Sequence, residues 1–156
     1  MKIQFKDLSS GDEREFVSLI KSTYSDSPFA FTFDKAPSEE SVRALFARKM
    51  ELMHNGKLID IVAKCNRRIL GECEMALSYR NKTKTGVVGI LVKKEFRRKA
   101  IGRALLASAE LKAKGFGISC FVAEISEANS VAVKFFEKCG FKQAGSNYGK
   151  ILLLKC

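Results

Sequence analysis

The chain has 156 residues, of which 46% are apolar and 29% charged, and these values are ordinary for one folded domain of a soluble protein. No apolar run approaches the roughly 20 residues that a membrane-spanning helix needs. The first residues, MKIQFKDLSSGDEREF, are too mixed in charge for a secretory signal. We therefore expect a single domain over residues 1–156, cytoplasmic and without a membrane partner.

Five cysteines and one histidine limit the metal and redox chemistry open to the chain. The cysteines form no C-x-x-C pair, and an odd number cannot all pair within one chain. The single His54 gives none of the usual Cys/His zinc spacings. We expect no metal site and reduced thiols, with Cys73 and Cys120 as small core residues on strands.

The formal net charge of +11 suits an anionic partner, such as nucleic acid, a phosphorylated cofactor or an acidic protein surface. Charge alone also fits a surface that only keeps the protein soluble. The clustering is more informative, because six positive charges fall within eleven residues and only Glu95 opposes them: Lys93, Lys94, Arg97, Arg98, Lys99 and Arg103.

Hydrophobic spacing predicts a strand and two helices in the first third of the chain. The strand covers residues 2–8, with Ile3, Phe5 and Leu8 pointing inward. A helix capped by Ser9 or Ser10 follows. After a loop over residues 25–37, a second helix begins at Ser38 and ends at Asn55-Gly56.

Three strand-like runs come next, at residues 58–65, 69–79 and 86–92, and the polar turns between them predict an antiparallel meander. A helix at 102–114, a strand at 118–125, a helix at 130–138 and strands at 141–144 and 150–155 complete the chain. The long helix carries Leu105, Leu106, Ala109 and Leu111 as its apolar residues. The order β-α-α-β-β-β-α-β-α-β-β predicts an α/β fold of the α+β type, in which a mixed central sheet of about seven strands has helices on both faces.

A buried strand at residues 87–92 leads through a basic turn directly into the helix at residue 102. The N–H groups at a helix start lack partners, and the helix dipole favours negative charge there. A pyrophosphate satisfies both conditions. Gly102 has no side chain to block its approach, and Arg97, Arg98 and Lys99 add positive charge.

A second motif, Asn129-x-x-Ala132-x-x-Phe135-Phe136-x-x-x-Gly140-Phe141, lies downstream. Together with Arg97-Arg98-Lys99-Ala100-Ile101-Gly102 it resembles the motifs of the GCN5-related N-acetyltransferase superfamily, Gln/Arg-x-x-Gly-x-Gly/Ala and Asn-x-x-Ala-x-x-Phe/Leu-Tyr-x-x-x-Gly-Phe. The resemblance covers about residues 69–154. It implies an enzyme, a monomer or homodimer, that moves the acetyl group of acetyl-coenzyme A to a primary amine by direct attack. The amine would belong to a protein N-terminus, a lysine or a small molecule such as a polyamine or an amino-acid-like compound.

The same resemblance implies roles for individual residues. Backbone groups at 90–92 would bond the pantetheine arm as an added strand, in space made by splaying from the strand at 118–125. Asn129 would bond the pantetheine or cap its own helix. The cofactor-binding residues implied are Ile90, Leu91 and Val92 for the arm; Arg97, Arg98, Lys99, Ala100, Ile101, Gly102, Arg103 and Ala104 for the pyrophosphate; Asn129; and Phe135 and Phe136 for the thioester end.

Two residues depart from the family motifs. Ala100 stands where glycine is common, and its methyl group is tolerated if φ stays negative. Phe136 stands where the family commonly has a tyrosine whose phenol protonates or holds the leaving thiolate. Phenylalanine can do neither, so the departure weakens the mechanism rather than the family resemblance.

Candidates for the base, the acid and the acceptor contact come from three places. Glu124 resembles a glutamate that serves as base, usually through water, in relatives acting on protein N-termini; alternatively it is a strand residue in an ion pair. Glu72 and Glu74 share one face of their strand, where one could bind a cationic substrate or both could simply face outward. Tyr148, in the last hairpin, is a candidate acid, whereas Cys139 fits better as a packing residue at a helix end.

Two other functions stay open at this point. Phe136 leaves room for a protein that binds acetyl-coenzyme A but catalyses weakly and acts as a sensor or partner protein. The net charge also fits a nucleic-acid-binding module, although no aromatic residues are interleaved with the basic ones for stacking.

Overall fold

The computed structural model describes residues 1–27 and 35–156, so part of the predicted 25–37 loop lies outside the described residues. The element order confirms the sequence prediction. No helix in the described ranges is long and apolar enough to cross a membrane. The strands are β1 (Gln4–Asp7), β2 (Leu58–Cys65), β3 (Arg68–Arg80), β4 (Thr83–Val92), β5 (Cys120–Ser126), β6 (Lys142–Asn147) and β7 (Lys150–Lys155); the helices are α1 (Glu13–Asp26), α2 (Glu39–His54), α3 (Ile101–Gly115) and α4 (Ser130–Lys138).

The seven strands form one mixed sheet in the order β1-β2-β3-β4-β5-β7-β6. All neighbouring pairs are antiparallel except β4 and β5, which are parallel. Tight turns make the β2-β3-β4 meander possible, with Asn66 (φ 57°) and Asn81 (φ 49°) in the left-handed conformation that asparagine tolerates. The predicted mixed sheet of about seven strands is confirmed.

Helices cover both faces of the sheet. Helices α3 and α4 pack on one face, here called the α3 face, where Leu105 and Phe136 join Cys73 and Met75 of β3 in the larger core. Helices α1 and α2 pack on the other, the α1 face, through residues such as Phe16. Because successive strand residues point to opposite faces, the side chains between the α3-face core residues lie on the α1 face.

Strands β4 and β5 pair over only three residues each, Thr85 to Val87 with Cys120 to Val122. Beyond this ladder β4 and β5 share no further residue pairs, although β4 continues against β3 and β5 against β7 on their other edges. The edge of β4 that faces β5 therefore has no strand partner from residue 88 to residue 92. The predicted splaying between these two strands is confirmed.

The prediction that the thiols are reduced is wrong for two cysteines. Cys120 and Cys156 form a disulfide with a Cα–Cα distance of 4.1 Å. The antiparallel β5–β7 register places Cys156 directly beside the start of β5, although 36 residues separate the two cysteines in the sequence. Cys73 is a buried free thiol as predicted, and Cys65 and Cys139 are also free.

Candidate functional site

A cavity of about 590 Å³ lies where β4 and β5 diverge, a size typical of small-molecule sites. Its walls are the end of β4, the turn before α3, the first turn of α3 and one side of α4, with Thr23 and Ser27 at the end of α1. Every cofactor-binding residue expected from the sequence lines it except Lys99 and Ala104: Ile90, Leu91, Val92, Arg97, Arg98, Ala100, Ile101, Gly102, Arg103, Asn129, Phe135 and Phe136.

The unpaired edge of β4 offers backbone hydrogen bonds to the cavity. The N–H of Lys93 donates to the carbonyl of Leu70 on β3 at 2.9 Å. Hydrogen bonds alternate along an antiparallel strand, so Leu91 also bonds β3, while the N–H and C=O groups of Ile90 and Val92 point towards the gap. Two of the three residues expected to bind an extended ligand through their backbone, Ile90 and Val92, therefore have backbone groups that face the gap. The third, Leu91, has its backbone bonded to β3 and its side chain packed in the α1-face core.

The turn before α3 is built from left-handed residues. Arg98 has φ 59° and Ala100 has φ 62°, so the condition for tolerating a methyl group at residue 100, a negative φ, is not met. The left-handed Ala100 is the N-cap of α3. Its carbonyl accepts from the N–H of Ala104 at 3.1 Å. The N–H groups of the first turn, at residues 101–103, have no helical partner and lie at the cavity wall.

Gly102 leaves space that a side chain would fill. A Cβ atom built at this position would lie 3.3 Å from Cε2 of Phe135 and 3.8 Å from Cγ2 of Val92. The missing side chain therefore lets α3, α4 and β4 approach one another at the point where the helix N–H groups meet the cavity. This cradle fits a phosphate, because it combines free N–H donors with close access.

Part of the basic cluster is used inside the protein. Nε of Arg97 donates to the carbonyl of Val92 at 2.9 Å, and its guanidinium pairs with Asp26 at the end of α1. The hydrogen bond and charge of Arg97 lower the pKa of Asp26. Lys93 is buried and its Nζ lies 3.3 Å from Oγ of Ser18. Among the basic residues on the cavity wall, Arg98, Arg103 and Lys138 have no such internal ion pair in the described residues.

The downstream motif forms the α4 wall of the cavity. The side chain of Asn129 accepts from the N–H of Ala132 at 3.2 Å, so it caps α4. Phe136 is buried and makes edge-to-face contacts with Phe135 and Phe141 at centroid distances of 5.3 and 5.0 Å. Among the described residues that line the cavity there is no tyrosine, histidine or carboxylate.

The two residues expected to be catalytic lie outside the cavity wall. Glu124 is on β5, and its carboxylate accepts from Arg80 at 2.9 Å. Tyr148 is in the turn between β6 and β7, with φ 50° and 97% of its surface exposed. The structure therefore does not bring either side chain together with the residues of the two motifs.

A buried charge cluster on the α1 face is the feature that sequence reasoning largely missed. Nζ of Lys49 on α2 lies 2.8 Å from both Oδ2 of Asp60 and Oε2 of Glu74, and it also contacts Glu72. We call these four residues the Lys49 cluster. One indication was present in the sequence. Lys49 lies seven residues after Val42 and three after Phe46, both buried, and this spacing places it on the inner face of α2.

Burial and charge set the protonation of this cluster. Burial, followed by the charge of Glu72, raises the pKa of Asp60 well above its usual range. Burial also opposes ionisation of Glu72 and Lys49, but their mutual attraction outweighs it, so the pKa of Glu72 is lowered and that of Lys49 is raised. The raised pKa of Asp60 favours its protonated form beside the Lys49–Glu72 ion pair. The same burial and negative charges raise the pKa of Cys73, which keeps that thiol protonated.

The mixed sheet opens at one parallel pair and presents a strand edge and a helix start to the opening. This geometry can accept an extended phosphorylated molecule between two strands. A family model for the acetyltransferase (GNAT) family matches residues 19–141, well over half of the chain. The chain therefore belongs to the acetyltransferase (GNAT) family. Members of this family use acetyl-coenzyme A as acetyl donor.

Solved structures share the fold over nearly the whole chain. An acetyltransferase of the GNAT family from Streptococcus pneumoniae has a TM-score of 0.78 at 18% identity, covering 99% of both chains. PaiA N-acetyltransferase from Thermoplasma acidophilum, in complex with coenzyme A, has a TM-score of 0.74 at 21% identity, again covering 99% of both. A phosphinothricin acetyltransferase from Sinorhizobium meliloti, in complex with AcCoA, has a TM-score of 0.80 at 21% identity, covering 99% of this chain and 88% of that one. No curated protein matched the sequence.

Proposed function

We propose that residues 1–156 form one N-acetyltransferase domain that moves an acetyl group from acetyl-coenzyme A to a primary amine by direct attack. The observation that carries this proposal is the cavity at the divergence of β4 and β5, where both sequence motifs meet. Acetyl transfer itself is the activity of the family. The acceptor amine and the residues in contact with the cofactor are our proposals.

The cavity offers a separate group for each part of the cofactor. The helix-start N–H groups at 101–103, with Arg98 and Arg103, would hold the pyrophosphate. The gap-facing backbone of Ile90 and Val92 would bond the pantetheine arm as an added strand. Lys99 and Ala104 do not line the cavity, and as sequence neighbours of Arg98 and Arg103 they would flank the phosphate end from outside. Asn129 fixes the start of α4, and Phe135 and Phe136 enclose the thioester end.

The chemistry needs few protein groups. The acceptor enters as an ammonium and first loses one proton to solvent, because only the neutral nitrogen is a nucleophile. That nitrogen then attacks the thioester carbon and the C–S bond breaks; the nitrogen loses a second proton while the thiolate gains one. The N–H of Ile90, which points into the gap, would polarise the thioester carbonyl. A thiol is a fair leaving group because its pKa is about 8.5 in the reference case of cysteine. Phe136 offers no proton, so we propose that solvent or the exposed Tyr148 supplies it, and that Glu124 removes the amine proton through water.

Binding of the cofactor is the first test. With a ligand at 100 times its Kd, stabilisation is about 2.7 kcal/mol, which corresponds to a rise in Tm of roughly 5–11 °C for a chain of this size. Gly102→Arg should abolish the rise, because a side chain would enter the space beside Phe135. Gly115→Arg is the matched control at the other end of α3, where a Cβ atom would meet nothing within 4 Å.

Turnover is the second test, with free thiol measured for a panel of amines. A variant or wild-type protein that binds acetyl-coenzyme A but releases no thiol with any amine would favour the sensor function, which the buried Phe136 keeps as a second candidate. If acetyl-coenzyme A gave no rise in Tm while duplex DNA did, the transferase proposal would have to be abandoned in favour of a nucleic-acid-binding module.

A further inference from the structure

Glu74 lies beside the narrow end of the gap between β4 and β5. It pairs in register with Gly89 on β4, and a Cβ atom built on Gly89 would lie 3.4 Å from Oε1 of Glu74. Gly89 is two residues beyond Val87, the last residue of β4 that pairs with β5. The carboxylate therefore lies over the bare backbone of β4, on the α1 face, where the gap begins to open.

Glu124 lies across the gap on the same face. It follows Val122, the partner of Val87, by two residues, just as Gly89 follows Val87. Its neighbours Phe121 and Ala123 point into the α3-face core, so Glu124 points to the α1 face. Glu74 and Glu124 thus flank the narrow end of the gap from β3 and β5.

Glu74 is the open member of the Lys49 cluster. Its side chain is 43% exposed, whereas those of Asp60, Glu72 and Lys49 are almost fully buried. Nζ of Lys49 holds Oε2 at 2.8 Å. Within the described residues, Oε1 has no hydrogen bond or ion pair. The contact of Lys49 with Oε2 fixes the carboxylate in place, and Oε1 is available to accept a hydrogen bond from a ligand.

The charges around Glu74 leave one negative charge uncancelled. The Lys49 cluster contains three carboxyl groups and only one ammonium group, so Lys49 cannot balance both Glu72 and Glu74. Arg80 balances Glu124 across the gap. The charge left over is the half-exposed carboxylate of Glu74, which attracts an ammonium group and repels a second carboxylate.

We propose that Glu74 binds the acceptor ammonium, and that the acceptor is a primary alkylamine with no carboxylate next to the amine. This chemistry belongs to a polyamine or to a lysine side chain, and it excludes an amino-acid zwitterion. The inference rests on the proposed transferase function and deepens it, because it assigns the acceptor class of the same site. Lys49 is the positioning residue, since it holds Oε2 and so directs Oε1 to the gap.

The test compares three acceptors by thiol release: 1,4-diaminobutane, a lysine peptide with a blocked N-terminus, and alanine. Diaminobutane or the peptide should be acetylated with kcat/KM at least about tenfold above that for alanine, because a charge-assisted hydrogen bond is gained and a repulsion is avoided. The better of the two cationic acceptors identifies a small amine or a protein lysine as the source. A preference for alanine would overturn the proposal.

Glu74→Gln should raise KM for the cationic acceptor about tenfold or more and leave the affinity for acetyl-coenzyme A unchanged, since it removes one charge from the acceptor side only. Glu51→Gln, which removes an exposed charge from α2, should change neither value. Gly89→Ala is a second variant that keeps Glu74. Its methyl group would lie 3.4 Å from Oε1 of Glu74, an ordinary contact that leaves the carboxylate in place. The methyl group would occupy the space in which an ammonium group approaches Oε1, so KM should rise here too.

The possible outcomes distinguish the role of Glu74 from the proposed transferase function. An unchanged KM in Glu74→Gln, in a protein that still binds acetyl-coenzyme A and acetylates amines, would refute the role of Glu74 alone. Failure of the wild-type protein to bind acetyl-coenzyme A or to acetylate any of the three acceptors would refute the proposed function itself.

Discussion

Replacing Lys49 with methionine tests the buried charge cluster directly. Methionine keeps a similar chain length but has no ammonium, so Asp60 and Glu72 lose the group that contacts them both. Both carboxyl groups are buried, and water cannot replace the lost partner. Breaking a buried ion pair by removing one member typically costs about 3–5 kcal/mol. That is a large part of the roughly 5–15 kcal/mol that keeps a domain folded, and it corresponds to a fall in Tm of about 6–20 °C.

The sign of the pH dependence follows from the same contacts. In the wild-type protein Lys49 lowers the pKa of Glu72. In Lys49→Met this pKa should rise above its value in the unfolded chain, so the folded variant binds an extra proton and regains stability as the pH falls. The loss of unfolding free energy should therefore be larger at pH 8 than at pH 5. Urea denaturation at both pH values measures it.

Two companion variants show whether the cluster causes the loss. Arg48→Met removes a neighbouring charge that is 62% exposed, and it should change stability by less than about 0.5 kcal/mol. Lys49→Met/Glu72→Gln should recover part of the loss, because the unpaired buried charge is gone. A loss in Lys49→Met no larger than that in Arg48→Met, or one that is equal at pH 5 and pH 8, would refute the reasoning.

Three further predictions concern the backbone and the protonated acid. Ala100→Gly should raise stability by about 1 kcal/mol in urea denaturation, because glycine adopts the left-handed conformation without strain; a loss of stability would contradict this. Gly71→Ala should cost about 1–3 kcal/mol and weaken binding of acetyl-coenzyme A, since its Cβ would lie 2.8 Å from the Leu91 carbonyl oxygen. Asp60→Asn should flatten the fall in stability as the pH rises above about 4, because the folded wild-type protein holds a proton that its unfolded chain releases; parallel pH curves would show that Asp60 is ionised.

The element order and the cavity were predictable because both depend on local sequence. Turn residues and hydrophobic spacing determine each strand and helix, and the two motifs lie on consecutive elements that meet at the β4–β5 gap. Hydrophobic spacing was a less reliable guide to burial on the edge strand β1 and on the outer side of α3. Phe5 on the edge strand β1 was expected to point inward but is 37% exposed, and Leu111, one of the apolar residues of α3, faces solvent.

The features that could not be predicted join residues far apart in the sequence. The Lys49 cluster needs α2 to pack across β2 and β3, and no local pattern specifies that contact. The Cys120–Cys156 disulfide depends on the β5–β7 register. The left-handed φ of Ala100 was missed for a different reason, because alanine disfavours this conformation and only the surrounding turn imposes it.

The short β4–β5 ladder divides the sheet into two plates joined along a line of three residue pairs. One plate consists of β1 to β4 and carries α3, and the other consists of β5 to β7 and carries α4. The cavity has walls from both plates, so a molecule bound in it would contact both and restrict their relative motion. Occupation of the cavity should therefore stiffen the connection between the two plates as a whole, and slower hydrogen exchange should extend to β7 and β6, beyond the residues that line the cavity.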